Sequence, residues 1–146
     1  MSLQQPAHKM SKSHADAKSR VELTDTPDAA RAKIMAARTD STDAVSYDPE
    51  GRPGVSNLLD ILAAFDGARR SPEAIADEMA GTGLRALKLR TADAVVQGLA
   101  GVRDRYLDVL SRNQGKYLND IAEAGASRAR LNAGETMTAL RSALGL

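Results

Sequence analysis

The chain has 146 residues, enough for one domain with a modest core and too few for two well-buried ones. Its 20 basic and 19 acidic residues nearly cancel, so it lacks the strong overall positive field of a non-specific nucleic-acid binder, and any polyanion site must be local. The absence of cysteine excludes disulfide frameworks and thiolate chemistry, and with His8 and His14 the only imidazoles a conventional zinc site is nearly excluded as well.

No apolar run approaches the roughly 20 residues that span a bilayer. Residues 1–20 form neither a charged-then-apolar secretory leader nor an Arg-rich presequence. A soluble, intracellular protein without membrane contact is expected. One Phe, three Tyr and no Trp, set against abundant Ala, Leu, Arg and Glu, predict closely packed helices and not a sheet.

The first 24 residues precede any segment able to build a core. They contain "AHKMSKSHAD", with Lys9 and Lys12 interleaved with Ser11 and Ser13, and then "SRVEL", which predicts one short strand. A single strand cannot form a sheet alone, so this region reads as the edge of something larger.

From residue 25 to 146 the pattern is helical. In "TDTPDAARAKIMAARTD", Thr26 stands before Pro27, whose missing N–H costs nothing at a helix start, and Ala30, Ile34 and Ala37 return on one face. After the turn-rich "SYDPEGRPG", Val55, Leu58, Leu59, Leu62 and Phe65 predict a second helix that stops at Gly67. Within that stretch Pro53 and Gly54 read as turn formers and Ser56 as a helix cap. Ser71 and Pro72 open a short third helix that ends before Gly81.

A long fourth helix carries Leu87, Ala94, Val95, Leu99, Val102, Tyr106 and Val109 as one stripe. "SRNQG" interrupts it, and a fifth helix with Leu118, Ile121, Ala122, Gly125, Ala129, Met137, Leu140 and Leu144 runs to the C-terminus. This helix is expected to pack antiparallel to the fourth, since small residues along its middle permit close approach. The expected fold is therefore all-α, about five helices preceded by an extended loop and one short strand.

Two isolated lysines are ordinarily no more than a solvated basic segment. "KMSKS", Lys9 to Ser13, nevertheless matches the signature loop of class I aminoacyl-tRNA synthetases, and the match continues downstream. "MSLQQPAHKMSKS", "TDS" at 39–41, "YDPE" at 47–50 and "RPGVSNLL" at 52–59 resemble the tryptophanyl-tRNA synthetase family in order and spacing. The tyrosyl enzymes share the loop, but "YDPEGRPGVSNLL" resembles the tryptophanyl form.

The resemblance implies a role for each part. Residues 1–24 would be the signature loop and the end of a catalytic domain, and residues 25–146 a helical tRNA- and anticodon-binding domain. Lys9, Met10, Ser11, Lys12 and Ser13 would bind ATP with its Mg²⁺. Lys9 and Lys12 would be catalytic, because compact ammonium groups suit the β- and γ-phosphates whose charge grows as pyrophosphate leaves. Arg85, Lys88 and Arg90 on the fourth helix and Arg128 and Arg130 on the fifth are candidates for contact with tRNA(Trp). Arg103 and Arg105 lie between them, and Asp93, Asp104, Asp108 and Glu123 are near enough to pair with several of these cations.

The family's Rossmann half, with its nucleotide motif and tryptophan pocket, has no counterpart here, so the chain reads as the C-terminal part of such an enzyme and is expected to be inactive alone. The family forms homodimers, and a cytoplasmic enzyme and one of the mitochondrial matrix or another organelle would look alike in this stretch. The other reading is a non-catalytic helical module that binds RNA or a partner. One local departure stands out: where the family follows its signature with Asp-Pro-Asn or similar, this chain has His14-Ala15-Asp16, which predicts a freer way out of the loop, able to turn helical, with His14 as an exposed passenger.

Overall fold

The computed structural model describes all 146 residues. It contains five α-helices, α1 (Pro27–Met35), α2 (Pro53–Ala64), α3 (Pro72–Glu78), α4 (Leu84–Ser111) and α5 (Lys116–Leu144), with short 3₁₀ turns at Ala17–Ser19 and Arg112–Gly115. The all-α architecture expected from composition and periodicity is observed. No helix is long and apolar enough to cross a membrane.

The helix starts follow from local chemistry. The Thr26 side chain accepts the Ala29 N–H at 3.2 Å, and Pro27 occupies the first turn. Ser71 does the same for the Ala74 N–H at 3.2 Å ahead of Pro72. Helix α4 takes its cap from far away in sequence, since Asp43 Oδ1 accepts the Leu84 N–H at 2.7 Å. Ser56 is not a cap. It lies inside α2, and its Oγ accepts the Asp48 N–H at 2.9 Å, which seats the Asp48–Gly51 turn on the helix.

The chain forms two compact units, Met1–Arg103 and Asp104–Leu146. The core of the first is built from Leu3, Ile34, Val55, Leu58, Leu59, Leu62, Ile75, Met79, Leu87 and Val95. Full burial of each such large side chain contributes about 1.5–3 kcal/mol over its exposed state. The packing units do not follow the division at residue 24 read from the sequence, because Leu3 is itself in this core, only 1% exposed.

Two glycines mark close approaches. A Cβ on Gly54 would lie 2.3 Å from the Arg38 carbonyl oxygen, and one on Gly98 would lie 2.2 Å from Cδ1 of Phe65. Gly54 thus lets α2 start directly against the segment that leaves α1, and Gly98 lets the Phe65 ring lie on α4.

The expected strand at "SRVEL" is absent. Arg20 is extended, with φ −148° and ψ 156°, but no ladder forms. Ser19 belongs to a 3₁₀ turn, and the residues after Val21 close a turn in which the Asp25 N–H donates to the Glu22 carbonyl at 3.0 Å. The physical reason is the one visible in the sequence: a lone strand has no partner for its backbone groups, so local turns and the Arg20–Glu22 ion pair at 2.8 Å take over.

In the second unit the "SRNQG" interruption is a true break, for Asn113, Gln114 and Gly115 all have positive φ (49°, 56° and 84°). Arg112 braces it, pairing with Asp108 at 2.7 Å and lying 5.5 Å from the centre of the Tyr117 ring. Helix α5 contains no buried residue. Its larger apolar side chains, Leu118, Ile121, Met137, Leu140 and Leu144, are exposed. The middle of the stripe is Ala and Gly, which carry little apolar area.

Candidate functional site

The loop that carries Lys9–Ser13 is tied at its base. The Ser2 N–H donates to the His8 carbonyl at 2.8 Å, immediately before Lys9, and the Leu3 N–H donates to the Ser19 carbonyl at 2.9 Å, beyond the far end. The Arg38 N–H donates to the Leu3 carbonyl at 2.8 Å and joins this base to the segment that follows α1. Gln4 reinforces the joint through Nε2, which donates to the Ala36 carbonyl at 3.0 Å.

Between these ties Lys9, Met10, Lys12 and Ser13 are exposed and Ser11 is half-buried. Ser11 Oγ and Ser13 Oγ lie 3.1 Å apart. Neither lysine is engaged in an ion pair, so both ammonium groups are free to meet an anion. Small hydroxyls that can donate, beside compact cations that only donate, form a surface suited to phosphate oxygens.

The way out of the loop differs from the freer course expected of His14-Ala15-Asp16. His14 is half-buried: its Nδ1 accepts the Asp16 N–H at 3.1 Å and its carbonyl accepts from Arg20 Nη1 at 3.0 Å. Asp16 Oδ1 then accepts the Lys18 N–H at 2.8 Å and caps the Ala17–Ser19 turn. Hydrogen bonds thus supply the stiffness that a proline ring would otherwise supply. The helical character foreseen there is present as this one 3₁₀ turn, and His14 supports it from outside by accepting the N–H of its cap residue, Asp16.

The motifs downstream of the loop form a frame, not a second cluster of reactive groups. Arg52 Nη2 and Nε grip Asp40 Oδ1 and Oδ2 at 2.8 and 3.0 Å. The same guanidinium donates to the Thr42 and Ala44 carbonyls and to Ser46 Oγ. Its hydrogen bonds and charge hold the Asp40 carboxyl below the usual carboxylate range. Tyr47 Oη donates to Asp60 Oδ1 at 3.0 Å, and this bond to a carboxylate raises the phenol's pKa. Asn57 reaches from α2 to the backbone of Met1 and Ser2. Sequence reasoning missed the work of Arg52, Asn57 and Asp43. The polar residue at position 57, between the apolar Val55 and Leu58, was the one available signal.

The proposed tRNA-contacting cations are not equivalent. Arg85 is exposed at the start of α4. Lys88 Nζ donates to the Ala37 carbonyl at 2.8 Å, where it satisfies a group just past the end of α1. Arg90 pairs with Glu78 at 3.2 Å, and Glu78 also pairs with Arg70. Asp93 pairs with Arg31 at 2.6 Å and Asp108 with Arg112, so neither neutralises the candidate cations nearby. Arg128 and Arg130 are exposed on α5, in the other compact unit. No group of three or more His, Asp or Glu side chains is arranged to hold a metal ion.

The family model described as tRNA synthetases class I (W and Y) matches residues 1–100. Tryptophan–tRNA ligase 1 of Streptomyces avermitilis is 45% identical over 146 residues, which is 100% of this chain and 42% of the relative. Tryptophan–tRNA ligase of Enterococcus faecalis is 38% identical over the same span, again 42% of its length. Among solved structures, tryptophanyl-tRNA synthetase from Mycoplasma pneumoniae superposes with a TM-score of 0.64 at 25% identity, over 100% of this chain and 45% of that one. The chain therefore spans less than half the length of the relatives it matches.

Proposed function

Since the chain belongs to the class I tRNA synthetases of the tryptophan and tyrosine group, with tryptophan–tRNA ligases among its relatives, we propose that it serves the ATP-dependent attachment of tryptophan to tRNA(Trp). In this reading Lys9–Ser13 is the ATP loop and the helices contribute to tRNA binding. The observation that carries it is the loop itself: two ion-pair-free ammonium groups with serine hydroxyls beside them, on a segment closed by hydrogen bonds at both ends.

In the first half-reaction a tryptophan carboxylate oxygen attacks the α-phosphorus of ATP. The bond from that phosphorus to the bridging oxygen breaks, and pyrophosphate leaves with the electron pair. The nucleophile is already an anion, so no protein base is needed, and His14 can keep its structural post. Lys9 and Lys12 act on the leaving side, where negative charge accumulates. Donors that meet this charge more strongly in the transition state than in bound ATP raise the rate and not merely the affinity. Mg²⁺ would enter as the counter-ion carried by the phosphates, because the acidic side chains here form no cage for it.

In the second half-reaction the tRNA 3′-terminal ribose receives the tryptophanyl group and AMP leaves. Arg85, Arg128 and Arg130 are the exposed cations that would meet the RNA, whereas Lys88 and Arg90 have structural partners to give up first. A cytoplasmic setting and a homodimer belong to the same reading, as the family resemblance implies.

A chimera tests it, in which this chain replaces the matching stretch of the Streptomyces avermitilis relative. Tryptophan-dependent exchange of pyrophosphate into ATP is expected from the chimera and not from the 146-residue chain alone. A folded chimera with no exchange would refute the ATP-loop reading and favour a non-catalytic RNA- or partner-binding module, which the exposed apolar face of α5 would also suit.

A further inference from the structure

We propose that Asn57 is a positioning residue for the Lys9–Ser13 loop: a latch on α2 that holds the arm leading into the loop and thereby sets where the two lysines stand. The catalytic half of this inference rests on the ATP-loop reading, and the latch itself does not.

Asn57 is 3% exposed and lies on the face of α2 that also buries Val55, Leu58, Leu59 and Leu62. An amide on such a face needs partners, because a buried polar group left unpaired loses its hydrogen bonds to water without replacement. All its partners are backbone groups of the first two residues. Oδ1 accepts from the Met1 nitrogen at 2.9 Å, and Nδ2 donates to the Met1 carbonyl at 3.2 Å and to the Ser2 carbonyl at 3.4 Å. An N–H of a peptide bond at Met1 could donate to Oδ1 just as this amine does. A leucine here would fill the space and leave those carbonyls unpaired, so the amide contributes specificity of position more than net stability.

What it holds is the origin of the loop. Ser2 is the residue whose N–H ties His8 beside Lys9, and its Oγ accepts the N–H groups of Gln4 and Gln5 at 3.3 and 3.2 Å. Leu3 is the residue that ties Ser19 on the far side and Arg38 on the helical side. A shift at Met1–Ser2 is therefore passed to both ends of the loop through short, mostly rigid links. The Ser56–Asn57 pair divides the labour: Ser56 seats the Asp48 turn, and Asn57 seats the arm. Phosphate chemistry tolerates little displacement of a catalytic cation, so a residue that never touches ATP can still govern the rate.

Amide hydrogen exchange on the full chain and adenylate kinetics in the chimera test this together. Asn57→Ala removes all three bonds, and Asn57→Asp keeps the shape and the acceptor while losing both donations. Both variants are expected to speed exchange at Ser2 and Leu3, and through Lys9–Ser13, by about tenfold while Leu87 and Val95 in α4 keep their protection. Unchanged exchange at Ser2 and Leu3, or loss of protection spread equally over α2–α4, would overturn the latch. In the chimera Asn57→Ala is expected to lower kcat for adenylate formation about tenfold with little change in KM for ATP, and to add almost nothing in a Lys12→Ala background. Full additivity with Lys12→Ala would overturn the positioning role even if exchange rises. If Lys12→Ala is itself silent, the ATP-loop reading falls and the role of Asn57 in catalysis falls with it, while the exchange data alone judge the latch.

Discussion

Arg52 grips both carboxylate oxygens of Asp40, Nη2 to Oδ1 at 2.8 Å and Nε to Oδ2 at 3.0 Å, and with its remaining donors collects the Thr42 and Ala44 carbonyls and Ser46 Oγ. One planar group thus folds residues 40–46 over the start of α2. Arg52→Ala should cost about 1–3 kcal/mol in urea unfolding, since a charge-assisted bidentate pair and three further acceptors are lost together. Arg52→Lys should recover only part of it, because one ammonium cannot reproduce the fork. Equal stability of Arg52→Lys and the parent would contradict this account.

Acid should destabilise the first unit through its depressed carboxyls. Arg52 lowers the pKa of Asp40, and the side-chain hydrogen bond from Arg70 lowers that of Asp66 further, both from an ordinary value of 3.8. A carboxyl whose folded pKa lies below its unfolded one contributes stability that is complete above the unfolded value and is lost as pH falls through the folded one. The melting temperature should therefore be level just above pH 4 and fall below it. Asp66→Asn should flatten that fall, and a fall of undiminished steepness in the variant would count against the pairing.

Gly54→Ala should be among the most damaging single-methyl changes. Its Cβ would stand 2.3 Å from the Arg38 carbonyl oxygen, a backbone atom that cannot rotate aside. Overpacking of this kind costs about 1–3 kcal/mol. Gly101→Ala is the control, since nothing lies within 4 Å of its Cβ position. Thermal melts that show Gly54→Ala as harmless as Gly101→Ala would disprove the close approach.

Cations that look alike in sequence should separate in a tRNA-binding titration. Arg85→Ala, Arg128→Ala and Arg130→Ala should each weaken binding of tRNA(Trp) and lower its salt slope by about one counter-ion. Lys88→Met should leave affinity near its starting value and instead cost about 1 kcal/mol of stability, because its ammonium serves the Ala37 carbonyl. If Lys88→Met weakens RNA binding more than Arg85→Ala does, the assignment is reversed.

Within the chimera Lys12→Ala should lower kcat for adenylate formation by a factor on the order of 100 to 1000, with a smaller effect on ATP binding in the ground state. Lys9→Ala should act in the same direction and more mildly. Lys12→Arg should not restore the rate, a planar fork being a poor substitute for a compact ammonium. His14→Ala should leave the chemistry intact and loosen the turn through Asp16, visible as faster proteolysis near Ala17. Pre-steady-state kinetics on these four variants decide between this loop mechanism and any that depends on His14.

The sequence by itself determined the helices and the family. Thr26-Pro27, Ser71-Pro72 and the apolar spacing from Val55 to Leu62 specify their elements through caps and period, which are local physics, and the stretch from "KMSKS" to "RPGVSNLL" carries the kinship. Only the tertiary structure decided what depends on partners distant in the chain. The "SRVEL" segment has β-type residues but no second strand, so it stays in turns, and the stripe on α5 has the helical period yet buries none of its side chains. Lys88 and Arg85 are both basic residues at the head of one helix, and the carbonyl that Ala37 brings within 2.8 Å is what removes one of them from the surface. Asn57 shows the same limit, for no local rule says that a polar residue on an apolar face will find Met1 and Ser2, 56 and 55 positions away, and that meeting exists only once α2 and the N-terminal arm share a core.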